Sequence, residues 1–176
     1  MELTGGRTAI VVPFTLPDAL EGIRLDHVSN ARLGVPAHVT LLFPFVSAAA
    51  LEPADLQRAA TVVGAATPFE VEFREAMSFD PGATEEGVVW LAPKPPDPFI
   101  ALTNALARAF PGYLPYGGLH DEVIPHLTLA NVDVDVPALV GAATASLPFS
   151  ATIVTAVLLV EDDAGRWRIE RELPFA

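Results

Sequence analysis

Two histidines, each followed two residues later by a threonine, are the groups in this chain best suited to do chemistry. His38 and Thr40 lie in 36-PAHVTLLFPF-45, and His126 and Thr128 in 125-PHLTLANV-132. Both segments run from proline through histidine, an apolar residue and threonine to leucine, and the histidines stand 88 residues apart, half the chain. A neutral imidazole takes up a proton and a protonated one releases it, and both forms are accessible near neutral pH. Two of them flanking a phosphodiester supply a base for the attacking hydroxyl or water and an acid for the departing oxygen. The threonine hydroxyls can donate to the non-bridging phosphate oxygens, where negative charge accumulates during displacement. The scheme requires no metal and no cofactor, and it predicts a bell-shaped pH–rate profile.

Each segment alone is better explained by a histidine satisfied within the structure; their shared context reverses that preference. The similar 27-HVS-29 lies in a polar, helix-like stretch, where a spacing of two puts the groups on different faces. A metal site is the competing chemistry. Zinc normally takes three or four protein ligands, and no carboxylate near either histidine has recognisable ligand spacing.

Side chains alternate along a strand, so His38 and Thr40 share one face while Val39, Leu41 and Phe43 are expected on the other. His126 and Thr128 are arranged alike, with Leu127 and Leu129 opposite. Each segment therefore offers an imidazole and a hydroxyl about 7 Å apart on one side of a strand anchored by its apolar side. Around them the pattern predicts strands at 8–14, 69–79 and 88–93, the last two joined by the PGATEEG turn, and helices at 17–34, 51–66, 98–110 and 137–147. A Pro/Gly/Tyr-rich loop spans 111–125, and two long strands, 150–161 and 166–175, meet at a DDAG turn. Helices mixed with hairpins imply an α+β fold.

The 176 residues are 51% apolar, enough for one compact domain covering 1–176, and no apolar run is long enough to span a bilayer. The segment MELTGGRTAIVV lacks the basic and hydrophobic regions of a signal peptide, so a soluble cytoplasmic protein is expected. The absence of cysteine excludes disulfides, thiolate nucleophiles and Cys-based metal sites. A net charge of −12, with one lysine and nine arginines and no basic patch, disfavours polyanionic partners; solubility alone is an equally good account of the acidity. The excess of arginine over lysine hints at a high-GC bacterial source.

With its paired H-x-T motifs, the chain resembles the two-histidine (2H) phosphoesterase superfamily, in the bacterial branch called 2′-5′ RNA ligase-like. The forms PAHVTLLFPF and YGG…PHLTLA carry the resemblance, which spans nearly the whole chain. It implies a bilobal α+β fold of two pseudo-symmetric, intertwined lobes, mainly antiparallel sheet with flanking helices around a central cleft. It further implies His38 and His126 as the acid–base pair, Thr40 and Thr128 as phosphate-oxygen donors, and metal-independent hydrolysis of a cyclic phosphodiester such as a 2′,3′-cyclic nucleotide, or 2′-5′ joining of RNA ends. The low basic content departs from RNA-acting members. A small phosphodiester, a nucleotide or short RNA end, is therefore the expected partner of a monomer, without long nucleic acid or membrane. The rivals are a non-catalytic nucleotide- or phosphate-binding module on the same fold, a 2′-5′ RNA ligase, and a structural domain with packed histidines.

Tyr116 in 115-PYGG-118 is a candidate to stack on a base or cap the cleft, and equally a tyrosine pinning its loop. Phe45 is a candidate for the cleft entrance, with core packing as the competing role. Trp90 reads as core, His120 as an exposed loop residue and His27 as a helix-surface residue. Arg166 and Arg168 share a strand face and are expected to pair with Glu170 and its neighbours rather than with phosphate.

Overall fold

The structure is a computed structural model that describes residues 6–79, 87–118 and 122–176, the side chain of Tyr116 excepted. Its frame is one eight-stranded sheet: β1 (Thr8–Phe14), β2 (Ala37–Leu42), β3 (Phe69–Phe79), β4 (Val88–Lys94), β5 (Leu127–Ala130), β6 (Phe149–Ile153), β7 (Thr155–Glu161) and β8 (Trp167–Pro174). The spatial order is β6-β3-β4-β5-β2-β1-β7-β8, and every neighbouring pair is antiparallel.

The order divides at its centre into two four-stranded lobes that meet where β5 lies against β2. One lobe is built from the continuous stretch β3–β6. The other combines β1 and β2 with β7 and β8 from the far end of the chain. The fold is thus α+β and bilobal, as expected, with a motif carried by each innermost strand.

The helices α1 (Asp18–His27), α2 (Pro53–Gly64), α3 (Asp97–Ala109) and α4 (Val136–Thr144) contribute Leu20, Val63, Phe99, Leu106 and Ala143 to one apolar cluster with Val39, Leu41 and Leu127 of the sheet. Helix starts are set locally. Glu52 and Asp55 form a reciprocal capping box ahead of α2, with Pro53 at its first position, and Asp135 accepts from the Ala138 amide at the start of α4. A smaller cluster of Ala9, Val11, Val35, Val157 and Leu159 forms separately.

Three expectations are corrected. The stretch 17–34 is helical only to His27; Val28 turns extended, and a short 3-10 turn, Ala31–Leu33, ends at Gly34. The amides of Asn131 and Val132 dock on the His27 carbonyl, which stops the helix against the chain leaving β5. The run 150–161 is two strands rather than one, divided by the exposed Val154, because β6 pairs with β3 while β7 pairs with β1. A single residue cannot bridge six strand spacings of a flat sheet, roughly 29 Å at about 4.8 Å each, so the sheet must curl. Finally, Phe43 does not join Val39 and Leu41. The β1–β2 register slips between Ile10 and Val11, Leu42 takes a core position, and Phe43 packs on the smaller cluster.

The hairpin β3–β4 forms as expected, though most of its PGATEEG turn lies outside the described residues. At the DDAG turn the Asp162 carboxylate accepts from the amides of Ala164 and Arg166, and Gly165 takes a φ of 77°. Among the described residues no helix is long and apolar enough to cross a membrane.

Candidate active site

Val39 of β2 and Leu127 of β5 are Cα partners across the lobe boundary, and both side chains are fully buried in the helix-covered core. Continuing this antiparallel register by one residue each way sets His38 opposite Thr128 and Thr40 opposite His126. Alternation turns all four away from the core. Directly opposed Cβ atoms are about 4.5–5.5 Å apart and diagonal neighbours about 7–8 Å, so the two imidazoles sit on one diagonal and the two hydroxyls on the other. All four residues are half-buried.

Both rings are held in the same way. The His38 Nδ1–H donates to the Pro36 carbonyl and the His126 Nδ1–H to the Ile124 carbonyl, each at 2.7 Å and each to the residue two positions earlier. A carbonyl only accepts, so Nδ1 carries the proton in the neutral ring and Nε2 is left as the proton-accepting nitrogen. The motif prolines sit within these anchoring segments.

The surroundings of His38 act on its charge. Burial holds its pKa down at about 4 from the usual 6.5, although the residue is only half-buried. The Pro36 carbonyl opposes the shift, and the positive fields of Arg24 and His126 add to it. Arg24, on α1, is 4% exposed. Its guanidinium grips the Glu21 carboxylate at 2.6 and 2.9 Å and donates to the Val35 carbonyl at 3.0 Å. It therefore secures the chain immediately before the carbonyl that holds His38. Sequence reasoning passed over Arg24; an arginine three residues after a glutamate on a helix signals only a surface pair.

On the other flank, Trp90 of β4 is the Cα partner of Thr128. It is buried as expected but belongs to neither apolar cluster. Its ring stacks on Phe79 at 4.7 Å, and the His126 ring stands edge-on to both, 5.3 Å from Phe79 and 5.9 Å from Trp90. Trp90 Nε1–H is buried and finds no hydrogen-bond partner among the described residues.

A family profile described as the 2′-5′ RNA ligase superfamily matches residues 12–166. The chain belongs to this superfamily of 2H phosphoesterases.

Solved structures agree with the superfamily's fold. The apo form of E. coli LigT is 18% identical, with a TM-score of 0.56 over 98% of this chain and 99% of that one. TT0787 of Thermus thermophilus is 18% identical, with a TM-score of 0.61 over 96% and 97%. Kluyveromyces marxianus Usb1 is 12% identical, with a TM-score of 0.52 over 98% and 100%. No curated protein matches the sequence significantly.

The remaining candidate residues of this 2H phosphoesterase fall differently. Phe45 is 4% exposed and packs edge-on against Phe110 at 4.8 Å and beside Tyr113, so it is a core residue and not an entrance residue. The register slip in β2 gives the accessible position to Phe43, which lines a pocket beside Thr40. Tyr116 lies in the 3-10 turn Pro115–Gly118 at the edge of that pocket, its side chain outside the described part. His120 lies outside the described residues. His27 ends α1 half-buried, with Nδ1 enclosed, instead of on the helix surface. Arg168 pairs with Glu170, as expected, at 2.9 Å. Among the described residues no group of three or more histidines and carboxylates has the spacing of a metal site.

Proposed function

We propose that this protein is a metal-independent phosphoesterase that opens a small cyclic phosphodiester, such as a 2′,3′-cyclic nucleotide, with His38 and His126 as its proton-transfer pair. The observation that supports this most directly is the pairing of Val39 with Leu127, whose antiparallel register, continued by one residue each way, sets each histidine opposite the other motif's threonine. A phosphate over the face they share meets a hydroxyl and an imidazole from each lobe. One histidine takes the proton of water as its oxygen bonds to phosphorus. The other protonates the ribose oxygen as its bond to phosphorus breaks, and Thr40 and Thr128 donate to the non-bridging oxygens.

His38, neutral at pH 7 with Nε2 unprotonated, suits the accepting role in the free enzyme. A substrate of nucleotide size is consistent with the relatives: E. coli LigT has been crystallised with 3′-AMP, with ATP, with NADP+ and with phosphate. The net charge of −12 weighs against long nucleic acid.

The test is hydrolysis of 2′,3′-cyclic nucleotides with chelator present, for wild type, His38→Ala and His126→Ala. Turnover that persists with chelator and falls at least roughly a hundredfold in each variant is expected. Unchanged rates in both variants would remove the acid–base assignment. Chelator-sensitive turnover would point to a metal.

A further inference from the structure

The Ile124 carbonyl holds the His126 ring at Nδ1 alone, and a ring held at one atom can still swing about it. A proton moves through Nε2 only when that nitrogen faces the reacting oxygen within hydrogen-bond reach, so the swing matters. A second contact opposes it. The His126 ring stands nearly perpendicular to the rings of both Phe79 and Trp90, at interplanar angles of 89° and 74°. Those two rings are themselves almost parallel, at 17°, with centroids 4.7 Å apart. The imidazole, 5.3 Å from one and 5.9 Å from the other, therefore stands across their stack. Edge-on contacts at this spacing are the favoured geometry for ring pairs, and turning the imidazole about its anchor gives up both at once.

The sheet brings the stack to the site. Trp90 of β4 is the Cα partner of Thr128 on one side and of Met77 of β3 on the other. Phe79 lies two residues beyond Met77, where alternation returns its side chain to the same face. Trp90 thus touches the second motif twice, beside Thr128 through its backbone position and against His126 through its ring. It is an unusual core residue: 6% exposed, outside both apolar clusters, with its Nε1–H unpaired among the described residues. A buried indole normally pairs its N–H, so this position uses the area and rigidity of the ring rather than its donor.

We propose that Phe79 and Trp90 are positioning residues for His126, their stacked rings forming a wall that keeps Nε2 aimed at the phosphate. The assignment rests on the proton-transfer role proposed above for His126 and adds to it the two side chains through which that role is held.

The test follows the His126 ring itself and then the reaction. In histidine-labelled protein, NMR relaxation of the ring carbons should show His126 rigid in wild type and mobile on the ps–ns timescale in Phe79→Leu and Trp90→Leu, with His38 unchanged. Equal His126 dynamics in wild type and both variants would overturn the proposal. Trp90→Phe, which keeps a ring and drops the N–H, should resemble wild type; behaviour like that of Trp90→Leu would overturn the account from ring area. With a 2′,3′-cyclic nucleotide as substrate, kcat should fall about thirtyfold in the Leu variants while KM changes less than about twofold. A loss in KM alone would instead make the rings a substrate contact. In a His126→Ala background Phe79→Leu should lower kcat no further, whereas an undiminished additional loss would show the rings acting elsewhere. Thermal melts check folding, and the half-buried Phe79 keeps the comparison available should Trp90→Leu not fold. If wild type turns over no cyclic phosphate, the function proposed above fails, and the relaxation measurements still decide whether the two rings hold His126.

Discussion

Arg24 reaches from α1 to the carbonyl of Val35, one residue before the carbonyl that holds the His38 ring. This buried guanidinium supports the lead-in to the first motif, while the His126 ring stands edge-on to the rings of Phe79 and Trp90. The motifs match in sequence while their surroundings differ, and different surroundings are what separate the pKa values of an acid–base pair.

Replacing Arg24 by Met should therefore do two things. Stability should fall by about 2–3 kcal/mol, because Glu21 and the Val35 carbonyl lose a buried partner. The His38 pKa should rise, because a cation that lowers it is gone. Urea denaturation measures the first effect and NMR titration of the His38 ring the second. A stability loss without any change in the titration would reduce Arg24 to a packing role.

The depressed His38 pKa also links stability to pH. The unfolded state protonates this residue near 6.5 and the folded state only near 4, so between these values the unfolded chain binds more protons and stability falls as pH falls. The full effect is on the order of 3 kcal/mol at most; it is absent above pH 6.5 and complete below about 4. The difference in unfolding free energy between wild type and His38→Gln, followed from pH 7.5 to pH 4, should narrow or reverse along that window. A constant difference would contradict the shift.

For activity, a base with a pKa of about 4 in the free enzyme places the acidic limb of kcat/KM near that value. The measurement is a kcat/KM profile for a 2′,3′-cyclic nucleotide from pH 3.5 to 9. An acidic limb at pH 6–7 would contradict a base role for His38 with its lowered pKa.

Thr40→Val and Thr128→Val keep side-chain volume and β-branching while removing one donor to the phosphate. Each should lower kcat about ten- to a thousandfold with little loss of stability, since both residues are half-buried on the open face. Thermal melts and steady-state kinetics together distinguish this from unfolding. A variant with full activity would show that its hydroxyl makes no contact with the reacting phosphate.

Gly34 has a φ of 101°, and a Cβ there would run into the backbone carbonyl of Trp167. Gly34→Ala should cost at least about 2 kcal/mol through backbone strain and this clash, with a backbone oxygen that has no rotamer to escape through. Because Gly34 leads directly into Val35 and Pro36, activity in the folded fraction should fall as well. A melting temperature equal to wild type would show that the segment adjusts freely.

Much of this protein was legible in the chain itself. Period-two alternation placed 69–79 within the bounds of β3, proline and acidic residues marked the start of α2, and the recurring His-x-Thr in apolar strands identified the two arms. These are local features, set by side-chain period and by the hydrogen-bonding needs of helix ends. Pairings between distant strands are not local. That β2 lies beside β5 in a register crossing each histidine with the other threonine depends on the burial of Val39 against Leu127. The division of 150–161 between β6 and β7 depends on the curl of the whole sheet, and the departure of Phe43 from the core face on a one-residue slip against β1. Arg24 became part of the site only when α1 docked beside the lead-in to β2. Composition and spacing determine which groups are available for chemistry. Close packing of apolar side chains across the sheet determines which of them meet.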